Sequence, residues 1–449
     1  MTAPARTAAY HAVRAVASGR ADLPSALHAS RAQLTDERDR SLAAEIVTGT
    51  LRWQRSLDHL IEHFSRRTIP KLDSEILAVL RLSLYQLLHL TRVPASAVVD
   101  DAVDLTRAAR KASASGFVNA VLRATLRQRH KLPLPLRPMD PADRAAALAY
   151  LGITHSHPEW LVARWLDRYG FEATERWVRF NNETPSLTLR VNRLRATREA
   201  AIAALAQDDV DAEPTRFAPD GLVVTRGNPL RRPPDGLVFV QDEASQLVPA
   251  VVAASAGERI LDLCASPGGK TLAMAADMAD AGTIVASDVR SRRLALLRET
   301  IKTAATRCVT VVHVPQTGPL PFEARFDAVL VDAPCSGLGT VRRDPDIRWR
   351  RHERDLAALA RDQLLLLTRA ADVVRRGGRL VYATCSSEPE ENDDVVASFV
   401  AKRPDFGIVN LHTHARAAIA PFIDAQGFFR TTPPAHGLEA FYAALLIRS

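Results

Sequence analysis

The sequence predicts a multidomain chain: an all-α N-terminal third, a small α+β connector, and a C-terminal α/β domain built on a parallel sheet. Three observations carry this. Apolar residues recur at three- and four-residue spacing from residue 4 to about 130, the period of an amphipathic helix. The proline cluster KLPLPLRPMDP, residues 131–141, cannot continue a helix and ends that region. Beyond residue 257, short apolar runs alternate with helical patterns, as they do in a parallel sheet covered on both faces.

In the first region RSLAAEIVTGTLRWQRSLDHLIEHF and DSEILAVLRLSLYQLLHL are helical, and Asp73 is placed to cap the second. GFVNAVLRATLRQRH closes the set, with Arg123, Arg127 and Arg129 along one face. The expected boundaries are 1–135 for the helical domain, 142–240 for the connector and 241–449 for the α/β domain. The connector mixes the helix HPEWLVARWLDRYG with the strands SLTLRVN and GLVVTRG, then the turn-rich NPLRRPPDG before VFVQDEASQL. In the last region RILDLC, TIVASD, CVTVVHV, FDAVLVD and GRLVYAT read as strands. KTLAMAADMA, SRRLALLRETIKTA and a stretch from about Glu353 to Arg376 read as helices.

With 449 residues, 47% apolar and 24% charged, the chain has the make-up of an ordinary soluble protein with cores for two or three domains. Cys264, Cys308, Cys335 and Cys385 lie far apart with no CxxC pair. That spacing argues against a zinc site on paired cysteines and against a disulfide framework, and so favours a reducing compartment. The N-terminus lacks a signal-peptide apolar core, and no run approaches the ~20 apolar residues a bilayer span requires. The expected setting is cytoplasmic. The net charge of +8 sits in residues 1–131, with 20 Lys and Arg against 12 Asp and Glu, and the remainder is balanced. A basic appendage on a neutral body points to a polyanionic partner, although a solvated helical surface in an arginine-rich chain reads the same way.

Ligands of parallel sheets sit at the carboxyl ends of the strands. The loop after the first of these strands is Cys264-Ala265-Ser266-Pro267-Gly268-Gly269-Lys270-Thr271. A phosphate-binding P-loop would need glycine where Cys264 stands, and the dinucleotide fingerprint GxGxxG is absent. Asp288, 20 residues after Gly268, ends the second strand and is placed to accept hydrogen bonds from ribose hydroxyls. A nucleoside ligand without a phosphate cradle suits S-adenosylmethionine.

Two further strand ends carry cysteines: Asp332-Ala-Pro-Cys335-Ser-Gly and Thr384-Cys385-Ser386. Carbon 5 of a pyrimidine is a poor nucleophile. A thiolate added to carbon 6 makes an enamine that can attack a sulfonium methyl, after which a base removes the carbon-5 proton and the thiolate leaves. Asp332 is suited to the pyrimidine edge, and Lys270 is a source of the positive charge that favours a thiolate. On these grounds either cysteine could be the nucleophile.

Motifs spread along the chain resemble the Sun/Fmu-type bacterial 16S ribosomal RNA cytosine-5 methyltransferases, the RsmB group. They are RDRSLAAEIVTGTLRW, SHPEWLVARWLDRYG, LTLRVN, QDEASQL, DLCASPGGKT, DAPCSGLGTVRRDPDIRW, YATCSSEPEEN and HGLEAFYAALL. The resemblance implies an N-terminal domain like the transcription factor NusB and a Rossmann-like, seven-stranded methyltransferase domain. It implies S-adenosyl-L-methionine held by Cys264 to Lys270, with Asp288 on the ribose and Asp332 at the active centre. It also separates the cysteines: Cys385 as nucleophile, with Cys335 assisting proton removal or product release. The expected partner is 16S ribosomal RNA, not DNA or a membrane, and the chain is expected to act as a monomer. The basic N-terminal third would dock RNA, and Arg342 and Arg343 are second-line candidates for phosphate. Where many relatives carry an acid near the adenine, this chain has HVPQTGPLP, residues 313–321, with Gln316 as one alternative acceptor. The competing readings are a DNA cytosine methylase and a non-catalytic RNA-binding assembly factor.

Overall fold

The computed structural model describes residues 2–231, 236–323, 325–414 and 416–449, so part of the turn NPLRRPPDG lies outside the described residues. The chain divides into two compact units: residues 1–184 with 341–353, and residues 185–340 with 354–449.

The first unit is helical. Seven helices, Pro4–Ala17, Leu23–Ala32, Glu37–Arg52, Gln54–Ser65, Ser74–His89, Ala95–Ala108 and Ser115–Arg127, follow one another along the chain. Their apolar faces share one core that includes Ile46, Leu57, Val79, Leu82 and Leu122. Asp36 caps its helix by accepting from the backbone N of Arg38 and Asp39. Asp73 does not act as expected: it stands at the N-cap position, but its side chain makes no capping bond and pairs with Lys111 Nζ at 3.0 Å. The helix Glu159–Asn182 runs past the expected stop at Gly170, whose φ of 75° and ψ of 175° kink it. Trp165 and Trp177 then stack across the kink, 4.8 Å between centroids.

Segment 341–353 belongs to this unit through Arg348. Its fully buried guanidinium donates to the backbone O of Ser156, Asn181 and Val341 and to Asn182 Oδ1. Trp349 Nε1 donates to Leu51 O at 2.6 Å, and Arg342 lies over the Phe180 ring and donates to Thr184 O. Both Arg342 and Trp349 are thus engaged in packing this segment.

The second unit holds two sheets. The smaller is antiparallel, formed by β1 (Thr188–Val191), β2 (Asp211–Pro214), β3 (Gly221–Arg226) and β4 (Val238–Val240) in the order β2-β3-β1-β4. The larger contains β5 (Arg259–Asp262), β6 (Thr283–Asp288), β7 (Val309–His313), β8 (Phe326–Asp332), β9 (Val374–Thr384), β10 (Phe406–Val409), β11 (Phe429–Thr431) and β12 (Phe441–Arg448). Seven of these strands run in the order β10-β12-β9-β8-β5-β6-β7, and β11 adds an eighth by pairing with β12. Strands β7, β6, β5, β8 and β9 are mutually parallel, and β12 enters antiparallel beside β9. The parallel order reverses between β5 and β8, so the crevice at their carboxyl ends is the topological switch point.

Candidate functional site

Strand β5 stops at Asp262, two residues before the expected end, and the loop 263–268 leads into the helix Gly269–Asp277. Gly268 makes the turn at φ 108°, where a Cβ would meet Leu297 Cδ1 at 3.0 Å. Only glycine takes this backbone without strain, and it brings the loop against the helix Ser291–Ala304.

A cleft opens at this turn. Cys264, Ala265, Ser266, Pro267, Gly269 and Lys270 line it, with Asp332 from the end of β8. Phe239 and Gln241, at the end of the small sheet, form another part of its wall. Gly268 shapes the loop without lining the cleft, and Asp288, at the end of β6, is not among the lining residues either. Asp288 is buried, accepts from the backbone N of Arg290 at 3.0 Å, and lies 3.9 Å from Arg293. In the loop after β7, Gln316 is exposed, and Arg369 donates to the backbone O of Pro315, Gln316 and Gly318.

Lys270 Nζ donates to Asp332 Oδ2 at 2.7 Å and faces the ring of Phe441. Burial opposes the Lys270 ammonium, but the Asp332 carboxylate outweighs it and raises the pKa. Cys385 also acts on this lysine electrostatically. The positive charge expected beside the thiols is therefore present, already bridged to Asp332.

The parallel pairing of β8 with β9 sets Asp332 opposite Ala383 and brings the two cysteine loops side by side. Cys335 Sγ and Cys385 Sγ lie 3.2 Å apart. The bond to Cys385, followed by burial, holds the Cys335 pKa well above the ordinary thiol value. Cys335 thus keeps its proton and can donate it towards Cys385. Cys264 is also pushed up, by burial first, and Cys308 is raised to about 11 for the same reason. Neither of those two has a thiol partner of this kind.

Sequence reasoning passed over two acids. Asp262 ends β5, is fully buried against Thr271 Oγ1 at 2.7 Å, and is raised to about 7 by burial. Its signal was available in the Asp-Leu-Cys that opens the loop. Glu391, in YATCSSEPEEN, accepts from both cysteine-bearing loops, from Ser336 N and from Ser386 Oγ.

Comparisons with known proteins place the chain in a family. Residues 249–447 match the family model described as 16S rRNA methyltransferase RsmB/F, and residues 3–127 match the NusB family. Residues 157–231 match the ferredoxin-like domain of RsmF/B-like methyltransferases. The chain is 34% identical to a probable ribosomal RNA small subunit methyltransferase B of Bacillus subtilis, covering 91% of this chain and 90% of that one. It is 36% identical to ribosomal RNA small subunit methyltransferase B of Pseudomonas putida, covering 91% and 92%. The crystal structure of PH0851 superposes with a TM-score of 0.79 at 27% identity, covering 100% of this chain and 99% of that one. A helical NusB region, a ferredoxin-like connector and a mixed-sheet catalytic domain thus follow one another, and the chain belongs to the 16S rRNA methyltransferase RsmB/F family.

Proposed function

We propose that this enzyme transfers a methyl group from S-adenosylmethionine to carbon 5 of a cytosine in 16S ribosomal RNA, through a cysteine adduct at carbon 6. The observation that carries the reading is the thiol pair, 3.2 Å apart at adjacent strand ends, beside the Lys270–Asp332 bridge and the glycine-turn cleft.

The cleft suits the donor's chemistry in that a loop turned by Gly268 lets backbone approach a nucleoside, and the ribose hydroxyls are assigned to Asp288, which ends the neighbouring strand outside the cleft lining. S-adenosylmethionine, when bound, supplies an electrophilic sulfonium methyl. Residues Cys264 to Lys270 would hold it. Cys385 attacks carbon 6, with the Cys335 thiol 3.2 Å away and the Lys270 ammonium in electrostatic reach. Asp332 holds the pyrimidine edge while charge develops on the ring. After methyl transfer Cys335 assists proton removal or product release. Docking of RNA falls to residues 1–135, where Arg123, Arg127 and Arg129 are exposed; 142–240 connects and 241–449 catalyses.

Two variants test the assignment. Cys385→Ser should abolish both methylation and adduct, and Cys335→Ser should accumulate a stable enzyme–RNA adduct on denaturing gels. Swapped outcomes would reverse the roles. Labelled methyl appearing in duplex DNA in preference to rRNA fragments would sink the substrate assignment.

A further inference from the structure

The ladder between β8 and β9 ends at Asp332 and Ala383, before either cysteine. Beyond it Gly339 N donates to Cys385 O at 3.0 Å, and the backbone of Gly337 hydrogen-bonds the Cys335 thiol. A buried carboxylate also ties the two loops together. Glu391 Oε1 accepts from Ser336 N at 2.7 Å and from Gln363 Nε2 at 2.9 Å. Glu391 Oε2 accepts from Ser386 Oγ at 2.5 Å. Ser336 and Ser386 are the residues that directly follow the two cysteines, and Gln363 Nε2 also donates to the O of Pro334, which precedes Cys335.

The directions of these bonds are forced. A carboxylate only accepts, so the single proton of Ser386 goes to Glu391. Ser336 Oγ must then donate across the 3.1 Å to Ser386 Oγ. Glu391 is itself fixed by the Tyr382 hydroxyl, which donates to its backbone O at 2.6 Å. Its neighbour Asn392 accepts from Thr384 Oγ1 and donates to Ser386 O. Burying a carboxylate costs several kcal/mol unless donors compensate it, and three donors converge here. Glu391 is fully buried and does not line the donor cleft, so it acts on the reaction through the cysteine loops.

We propose that Glu391 is a positioning residue for methyl transfer, bridging Ser336 and Ser386 so that the thiols of Cys335 and Cys385 are held at their working separation. This rests on the covalent reading above. The two properties of Glu391, span and charge, separate by substitution. Glu391→Asp keeps the charge and shortens the reach by one methylene. Glu391→Gln keeps the reach and the acceptor for Ser336 N and Gln363, and removes a charge that helps Cys335 hold its proton.

The full chain would be assayed for adduct formation with 5-fluorocytosine-containing rRNA fragments. The pH dependence of iodoacetamide labelling at each cysteine would be read by mass spectrometry, and S-adenosylmethionine affinity by calorimetry. Glu391→Asp should slow adduct formation about 100-fold, the cost of a displacement near 1 Å, with donor affinity unchanged. Glu391→Gln should form adduct within about tenfold of the parent, while Cys335 labels at lower pH. Wild-type adduct rates in Glu391→Asp, or a Cys335 labelling profile unmoved in Glu391→Gln, would overturn the proposal. If the parent methylates rRNA and yields no adduct, the covalent reading fails instead, and the labelling profiles still decide the role of Glu391.

Discussion

The two units bury their titratable groups to opposite ends. In the helical unit the buried histidines are packing pieces. His157 is fully buried with its ring centroid 5.9 Å from that of Trp165, and burial leads in pushing its pKa well below the ordinary value. His155 is lowered likewise, to about 4, burial leading. In the sheet unit the buried groups are acids and thiols at the carboxyl ends of strands, where burial drives Asp262 up to about 7 and helps keep Cys335 protonated. The same desolvation serves packing where the charged form is never used. Under the proposed mechanism it serves chemistry at Cys335, where a proton is kept beside the nucleophile.

Arg348 tests the packing half of this contrast with the largest effect. Four acceptors in the helical unit depend on its guanidinium. Arg348→Met leaves them buried without that donor and should cost roughly 3–5 kcal/mol of stability in this unit. Hydrogen exchange followed peptide by peptide would show protection lost in 1–184 and 341–353 first; uniform loss along the chain would break the contrast.

Acidity should then pull the units apart. In the native state His155 binds fewer protons than in the unfolded chain between pH 6.5 and about 4, so its contribution is present above 6.5 and disappears as pH falls to about 4. Native Asp262 binds more protons than the unfolded chain from 3.8 to about 7. Its contribution is therefore present below 3.8 and is lost as pH rises through about 7. Each amounts to a few kcal/mol. Acidifying from pH 7 to 4.5 should weaken exchange protection in the helical unit and strengthen it around β5, and Asp262→Asn should remove the second change alone.

How much of this was legible in the sequence follows the range of the interaction. Local periodicity placed Thr283–Asp288, Ser291–Ala304 and Phe326–Asp332 to the residue. The helix expected to reach Arg376 stops at Ala371 because Val374 is drawn into β9 by pairing with Phe326, 48 residues earlier. The insertion of β12 beside β9 likewise depends on contacts that no local pattern encodes. The segment after Thr340 belongs to the helical unit through partners more than 150 residues away, such as Ser156 and Asn182. In the candidate site the cysteines and the glycine turn stood out by residue type. The 3.2 Å approach of the thiols and the burial of Asp262 arise from strand register, which the residue types do not carry.

The smallest test compares two glycines, one in each unit. Gly170 (φ 75°, ψ 175°) kinks the long helix of the helical unit and has open space where a Cβ would stand. Gly268 has φ 108° and, with Leu297 Cδ1 at 3.0 Å and Thr300 Cγ2 at 3.2 Å, no such room. Alanine at either position meets backbone strain of about 1–3 kcal/mol, because L side chains disfavour both conformations. At Gly170 the cost should end there: a lower melting temperature with S-adenosylmethionine affinity intact. At Gly268 the strain can be relieved only by moving the loop that lines the cleft, so donor affinity should fall by about tenfold or more for a similar loss of stability. Calorimetry on both variants measures that difference. Equal donor affinities would mean that the turn at Gly268 only packs helix on sheet, and that the donor is held elsewhere.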